Sequence, residues 1–180
     1  MAEQSQMTLP SSENSTFTTS SHKLHDTWNL WAHLPHDTSW NLESYKKITT
    51  FKSVEEIIAL NQALPDVLIK NCMLFLMRDG IQPIWEDPKN RSGGCFSYKI
   101  NIRNVVEVWK NLSYALVGET ITKDDGFLAT VNGITISPKK NFCIIKIWLS
   151  TCGYQDTQNI ISIKGLNPHG CIFKKHNPEF

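Results

Sequence analysis

Cys72-Met73-Leu74-Phe75-Leu76-Met77-Arg78-Asp79-Gly80-Ile81-Gln82-Pro83-Ile84-Trp85-Glu86-Asp87-Pro88-Lys89-Asn90-Arg91-Ser92-Gly93-Gly94 decides the fold. It begins with a continuous apolar run of strand length, residues 72–77, and residues 96–102 beyond it alternate with period two. Two strands therefore frame one long polar loop with no crossover helix between them, which argues against a doubly wound parallel sheet. Toward the N-terminus, residues 26–34 read as a strand ended by Pro35, and residues 45–50 as another. Ser53 and Glu56 form a capping box that opens an apolar-periodic helix through Val54, Ile57, Ile58, Leu60 and Leu64, ending before Pro65. Toward the C-terminus, Val105, Val108, Trp109, Leu112, Ala115 and Leu116 at helical spacing predict a second helix closed by Gly118. Strands follow over 127–136 and 142–149, joined by 137–141. Asn132-Gly133 is a hairpin signal, but a turn there leaves too few residues for a third strand before Pro138, so one strand is expected to run through it. A last helix is expected within 156–164, with an irregular tail after Pro168. The reading is α+β: a mainly antiparallel sheet with about three helices.

Composition narrows the function classes. The chain has 180 residues, 41% of them hydrophobic, which suits a single domain with a real core over 22–180. Residues 1–21, dominated by Ser, Thr, Gln, Glu and Asn, cannot bury enough surface to offset their ordering entropy and are expected to be a disordered tail. No apolar run is long enough to span a bilayer, and no basic-then-apolar leader opens the chain, so a soluble cytoplasmic protein, with the nucleus also open to it, is expected. A net charge of +1 excludes a protein that grips nucleic acid mainly by its phosphates; any such contact should be small and local. The five cysteines include no C-x-x-C pair and read as free, mostly buried thiols rather than metal ligands or disulfides. No nucleophile elbow, P-loop or paired-carboxylate signature is present, so the chain reads as a binding protein with no cofactor rather than an enzyme. His33 and His36 straddle Pro35, which excludes helical ligand spacing, and both are expected at the surface.

Trp40 and Trp85 stand out because their neighbours are poor surroundings for a core residue: Pro35-His36-Asp37-Thr38-Ser39 before one, and Pro, Glu, Asp and Lys around the other. Two exposed indoles can sandwich a flat cationic purine. Each face adds cation–π attraction of about 0.5–2 kcal/mol to stacking of about 1–3 kcal/mol per base. An N7-methylated guanine keeps two donors on one edge, and Glu86 can accept both through charge-assisted bonds.

The stretch 78–94 resembles the central signature of the eukaryotic translation initiation factor 4E family, which binds the mRNA 5′ cap. Further matches fall in the family's order: His22-Lys23-Leu24, Trp28-x-x-Trp31, Ser39-Trp40, Phe51-x-x-Val54-Glu55, Trp109 through Val117-Gly118-Glu119, and Ile145-x-Ile147-Trp148. The resemblance implies a curved sheet with helices on its convex face and a cap slot on its concave face. It assigns the base sandwich to Trp40 and Trp85, the base edge to Glu86, the methyl group to Trp148, and the triphosphate to Lys139. A second basic family position falls on Ile144, leaving Lys140 or Lys146 to substitute.

It also implies a partner face on the helices for a scaffold protein or repressor, involving His22, Val54, Ile58, Lys110, Asn111 and Tyr114. Here the match breaks, since Ile58 stands for the family's tryptophan, Lys23 for a proline, Lys110 for an apolar residue and Asn111 for an acidic one. Loss of a tryptophan hot spot commonly costs more than about 2 kcal/mol, over tenfold in affinity. A monomer that either recruits a scaffold to capped mRNA or competes without recruiting is the expectation.

Overall fold

The computed structural model describes residues 21–176, so the expected tail, save Ser21, lies outside the described residues. Seven strands form one sheet: β1 (Lys23–His33), β2 (Tyr45–Ser53), β3 (Met73–Arg78), β4 (Gly94–Asn101), β5 (Val131–Pro138), β6 (Phe142–Leu149) and β7 (Cys171–Lys175). Their order is β2-β1-β3-β5-β6-β4-β7, and every neighbouring pair is antiparallel. Period-two alternation sends Trp28 and Leu30 of β1, Leu74 and Leu76 of β3, Phe96 and Tyr98 of β4, and Ile145 and Ile147 of β6 to one face, where they join the main core. The opposite, open face carries a smaller cluster of Phe75, Met77, Ile81, Cys95 and Trp148, with Trp31, Tyr45 and Met73 against it.

Helices α1 (Val54–Ala63), α2 (Asp66–Asn71), α3 (Val105–Val117) and α4 (Asp125–Leu128) complete the fold. The capping box is formed as expected: the Ser53 hydroxyl accepts from the Glu56 N–H, and the Glu56 carboxylate accepts from the Ser53 N–H. The largest helix, α3, buries Trp109 and Leu112 in the core, and Asn61 of α1 donates to the Ser113 hydroxyl of α3 at 2.9 Å. Among the described residues no helix is long and apolar enough to cross a membrane.

The sheet differs from expectation in instructive places. Pro65 does end α1, but its fixed φ then serves as the N-cap of α2, a helix the sequence reading lacked. Phe127 belongs to α4, opened by an Asp124 side-chain cap, so β5 starts only at Val131. Residues 156–164 hold a single 3-10 turn, Thr157–Asn159, in place of the expected helix, because their apolar residues have no helical period and Asp156 caps only that turn. The segment after Pro168 forms β7 against β4, not an irregular tail. At the end of α3, Glu119 and not Gly118 takes the left-handed conformation (φ 58°). The N–H groups of Glu119 and Thr120 bond the carbonyls of Leu116 and Ala115, a Schellman closure at the cost of placing a side chain at positive φ.

As expected, β5 runs straight through Asn132-Gly133. Asn132 forms a bulge opposite β6, which explains why a hairpin dipeptide lies mid-strand. A Cβ on Gly133 would lie 2.4 Å from the Leu76 carbonyl oxygen and 2.6 Å from Met77 Sδ, so the close approach of β3 requires glycine.

Candidate functional site

Residues 79–93 form a rigid loop between β3 and β4, built on two buried polar side chains. The Asp87 carboxylate accepts from the N–H groups of Gln82 (2.9 Å) and Lys89 (2.8 Å), and its own carbonyl accepts from Asn90 and Arg91. Asn90, fully buried, donates to the carbonyls of Gln82 (3.0 Å) and Ile84 (2.8 Å). Its side-chain oxygen accepts from Asn132, which also holds the Lys89 carbonyl. The bulge in β5 thus aims one of the side chains that fasten the loop to the sheet; Asn29 of β1, donating to the Asp79 carboxylate at 2.7 Å, is another. At the loop's root, Arg78 stacks its guanidinium 4.7 Å from the Trp28 ring, donates to the Val131 carbonyl, and pairs with Asp26 and Glu119. Glu119 holds its positive φ where its carboxylate meets Arg78. His25 lies beside the same two carboxylates, which serve as the counter-ions of Arg78.

Trp85 and Glu86 occupy the apex of this loop, between the anchored Ile84 carbonyl and Asp87, and Trp85 is 43% exposed. Trp40, 59% exposed, stands on the loop between β1 and β2. Those loops leave opposite ends of the sheet. Tyr45 pairs with His33 at the end of β1 remote from Arg78, and the Glu86 charge still reaches its hydroxyl. Burial first, and Glu86 second, push the Tyr45 phenol above its ordinary range.

Trp40 is supported on one face. His33 is 3% exposed, against the expectation of a surface histidine, and its ring stacks on Trp40 at 4.3 Å with an interplanar angle of 3°. Its Nε2 donates to the Ser39 carbonyl at 2.7 Å, fastening the loop beside the indole. Tyr45 meets His33 edge-on at 5.1 Å, and Phe75 meets Tyr45 at 5.2 Å. This aromatic row runs from the exposed indole to the open-face cluster. His36, by contrast, is exposed as expected.

Trp148 lies in that cluster, 6% exposed, with the His176 ring over it at 4.5 Å. The His176 Nδ1 donates to the Asn90 carbonyl at 2.8 Å, and its backbone N–H to the Gly93 carbonyl, so β7 ends by locking the loop and the floor together. Burial drives the His176 imidazole below its ordinary range; the Asn90 bond opposes this and Lys146 adds to it. Nothing in the sequence motifs marked His33, Tyr45 or His176; the period-two register of β1 and β2 was the available signal for the first two.

Lys139 and Lys140 are exposed at the tip of the β5–β6 hairpin, which the Lys139 N–H closes onto the Phe142 carbonyl. Lys139 and Trp40 line one depression of about 210 Å³, together with His33, Met73, Ser137 and Pro138. Ile144 and Lys146 alternate with Trp148 on the same open face.

On the helical face, Val54 and Ile58 of α1 and Tyr114 of α3 are exposed, as are Val67 and Leu68 of α2. Lys110 is half-buried and Asn111 exposed. His22 lies at the start of α1, its Nδ1 2.6 Å from the Glu55 carboxylate and its carbonyl accepting from the Val54 N–H. That side-chain bond holds the Glu55 carboxyl below its usual range.

Residues 23–169 match the family model described as eukaryotic initiation factor 4E. The eukaryotic translation initiation factor 4E of Candida glabrata is 30% identical over 146 residues, covering 77% of this chain and 68% of its own length. That of Eremothecium gossypii is 30% identical over 135 residues, covering 71% of this chain and 62% of its own. Among solved structures, the complex of schistosome eIF4E with m7GpppG and 4E-BP superimposes with a TM-score of 0.66 at 24% identity, covering 74% of each chain. At that identity the superposition shows a shared fold.

Proposed function

This chain belongs to the eukaryotic initiation factor 4E family, and from that premise we propose that it binds the 7-methylguanosine 5′ cap of mRNA and acts in translation initiation. The observation that carries the reading is the pair of exposed tryptophans, Trp40 stacked on His33 and Trp85 at the apex of the 79–93 loop, the latter followed by a carboxylate. Trp40 and Trp85 stack on the methylated base, whose positive charge favours the indole faces. Glu86 accepts from the base-edge donors and disfavours bases lacking them, since its charge would be left unpaired. Lys139, beside Trp40 in one depression, takes phosphate charge with Lys140. Trp148 and the His176 ring over it form the floor. The chain acts by binding and carries out no reaction of its own.

Retention on immobilised 7-methylguanosine triphosphate and its loss in Trp40→Ala, by about 1–3 kcal/mol, tests this reading. Free passage of the wild-type protein at low salt would reject it.

A second reading follows from Ile58, exposed on α1 where the family carries a tryptophan anchor. Here the protein holds the cap without recruiting the usual scaffold and competes with factors that do. The schistosome and Caenorhabditis elegans structures of similar fold hold 4E-binding proteins, so co-purification of a scaffold subunit with cap-bound protein from its own cell separates recruiter from competitor.

A further inference from the structure

The cap reading uses Trp148 and the tip lysines Lys139 and Lys140 in this half of the sheet and leaves Lys99 and Lys174 without a role. Strands β5, β6, β4 and β7 are consecutive in the sheet and contain no aspartate or glutamate, although the whole chain is nearly neutral. Three of the four lysines of this half-sheet, Lys99, Lys146 and Lys174, are placed on one face by register; Lys175 has the opposite parity. Ser97 of β4 pairs with Lys146 of β6 on one side, and Cys95 pairs with Lys174 of β7 on the other, with Lys99 two positions beyond Ser97. All share the parity of Cys95 and Trp148, so all three project from the open face. Both the Lys146 and Lys174 ammonium groups act on the Cys95 thiol between them. Among the described residues, none of the three lysines has a carboxylate within 4.0 Å.

Apolar side chains are interleaved with these cations. Lys99 lies 4.5 Å from the Phe142 ring, and Ile172, beside Lys174 on the open face of β7, is 59% exposed. Ammonium groups spaced along a sheet face with no carboxylate partner among the described residues, with ring and aliphatic surface between them, suit a single-stranded polynucleotide: charge for the phosphates and apolar contact for the bases. An acidic partner protein would use the charges but has no call on the stacking surface. The tip lysines Lys139 and Lys140 stand at one end of this face and Lys174 at the other. β7 lies two strand spacings, about 10 Å, from β6.

We infer that the open face of β6, β4 and β7 is a binding track for the single-stranded RNA that follows the cap, with Lys99 and Lys174 holding backbone phosphates. The inference rests on the cap reading for its direction, and its test keeps the two apart. Binding of 7-methylguanosine triphosphate, of a capped RNA of about ten nucleotides, and of the same RNA uncapped is measured across a salt series. The wild-type protein binds the capped RNA more tightly than the cap nucleotide, and salt erodes the difference. The double variant Lys99→Gln/Lys174→Gln binds the cap nucleotide as before, loses the gain from the RNA, and shows a salt slope smaller by about 1.4, or about 0.7 per phosphate contact. Lys99→Arg/Lys174→Arg restores the gain. Equal wild-type affinity for cap nucleotide and capped RNA overturns the track, as does a gain that survives the double variant. Salt-dependent, lysine-dependent binding of uncapped RNA without any cap binding keeps the track and rejects the cap reading. If polyglutamate binds with the same lysine dependence while RNA does not, the face docks a protein and the assignment to RNA fails.

Discussion

His33 shows how much one side chain contributes to a binding loop. An exposed indole is free to reorient, and ordering it on ligand binding costs entropy. Here the His33 ring lies flat against one face of Trp40 while its Nε2 holds the Ser39 carbonyl, so the indole is set before any ligand arrives. Stacked aromatic pairs contribute about 0.5–1.5 kcal/mol beyond area burial. His33→Ala should therefore weaken binding of 7-methylguanosine triphosphate by several-fold, and His33→Phe should restore most of it; equal weakening in both would mean the Ser39 bond, not the stack, sets Trp40. His176 carries a pH signature. Its folded value is depressed, so as pH falls through about 6.5 the unfolded chain takes up a proton that the folded one refuses. Protons then favour the unfolded state, and the stability present at neutral pH is lost as pH drops toward the folded value. The melting temperature of the wild type should fall across that window more steeply than that of His176→Phe; parallel curves would show that this imidazole is not the titrating group. Trp40 and Trp85 stand out from their polar neighbours, and the resemblance to the family gives Glu86 its role. His33 and His176 could not, because the ring each one packs against, Trp40 or Trp148, comes to it only through the fold.

At the scale of elements, the local rules succeeded where the partner groups are close in sequence. The Ser53–Glu56 box closes within one turn, and the hydrophobic period of α3 is its own argument. They failed where a distant strand decides. Asn132-Gly133 reads as a turn in isolation, yet its asparagine fastens the 79–93 loop and its glycine lets β3 approach. Gly133→Ala should destabilise the protein by about 1–3 kcal/mol in denaturant titration, since a backbone carbonyl occupies the added methyl's place. An unchanged midpoint would mean the two strands separate at no cost. Asn132→Ala should leave the strand intact and loosen the loop. We expect slower-exchanging amides at 82–91 to become fast while those of β5 stay protected, and uniform exchange would remove the anchoring role. The strand β7 and the helix expected over 156–164 belong to the same lesson. The segment 171–175 has little pattern of its own and becomes a strand because β4 offers an edge, whereas 156–164 finds no helix partner.

At the scale of the molecule, the two faces of the sheet divide the work. One is sealed by the helices, and the other carries the Phe75–Trp148 cluster and the open-face lysines of β6, β4 and β7. The helical face exposes Val54, Ile58, Val67, Leu68 and Tyr114. If that surface is a partner site weakened by the absence of an anchor, Ile58→Trp should raise affinity for a 4E-binding-protein peptide by about tenfold or more. No gain by calorimetry would show that this face has been remodelled for a different partner. By itself the sequence determined the element types over most of the chain, the capped start of α1, the loop that carries Trp85 and Glu86, and the family, because each depends on residues near one another along the chain. The tertiary structure decided the strand order, with β4 inserted between β6 and β7, the departure of the two tryptophan loops from opposite sheet ends, and the burial of His33 and His176. Those depend on packing across the sheet and its loops, whose free energy leaves no local pattern to read.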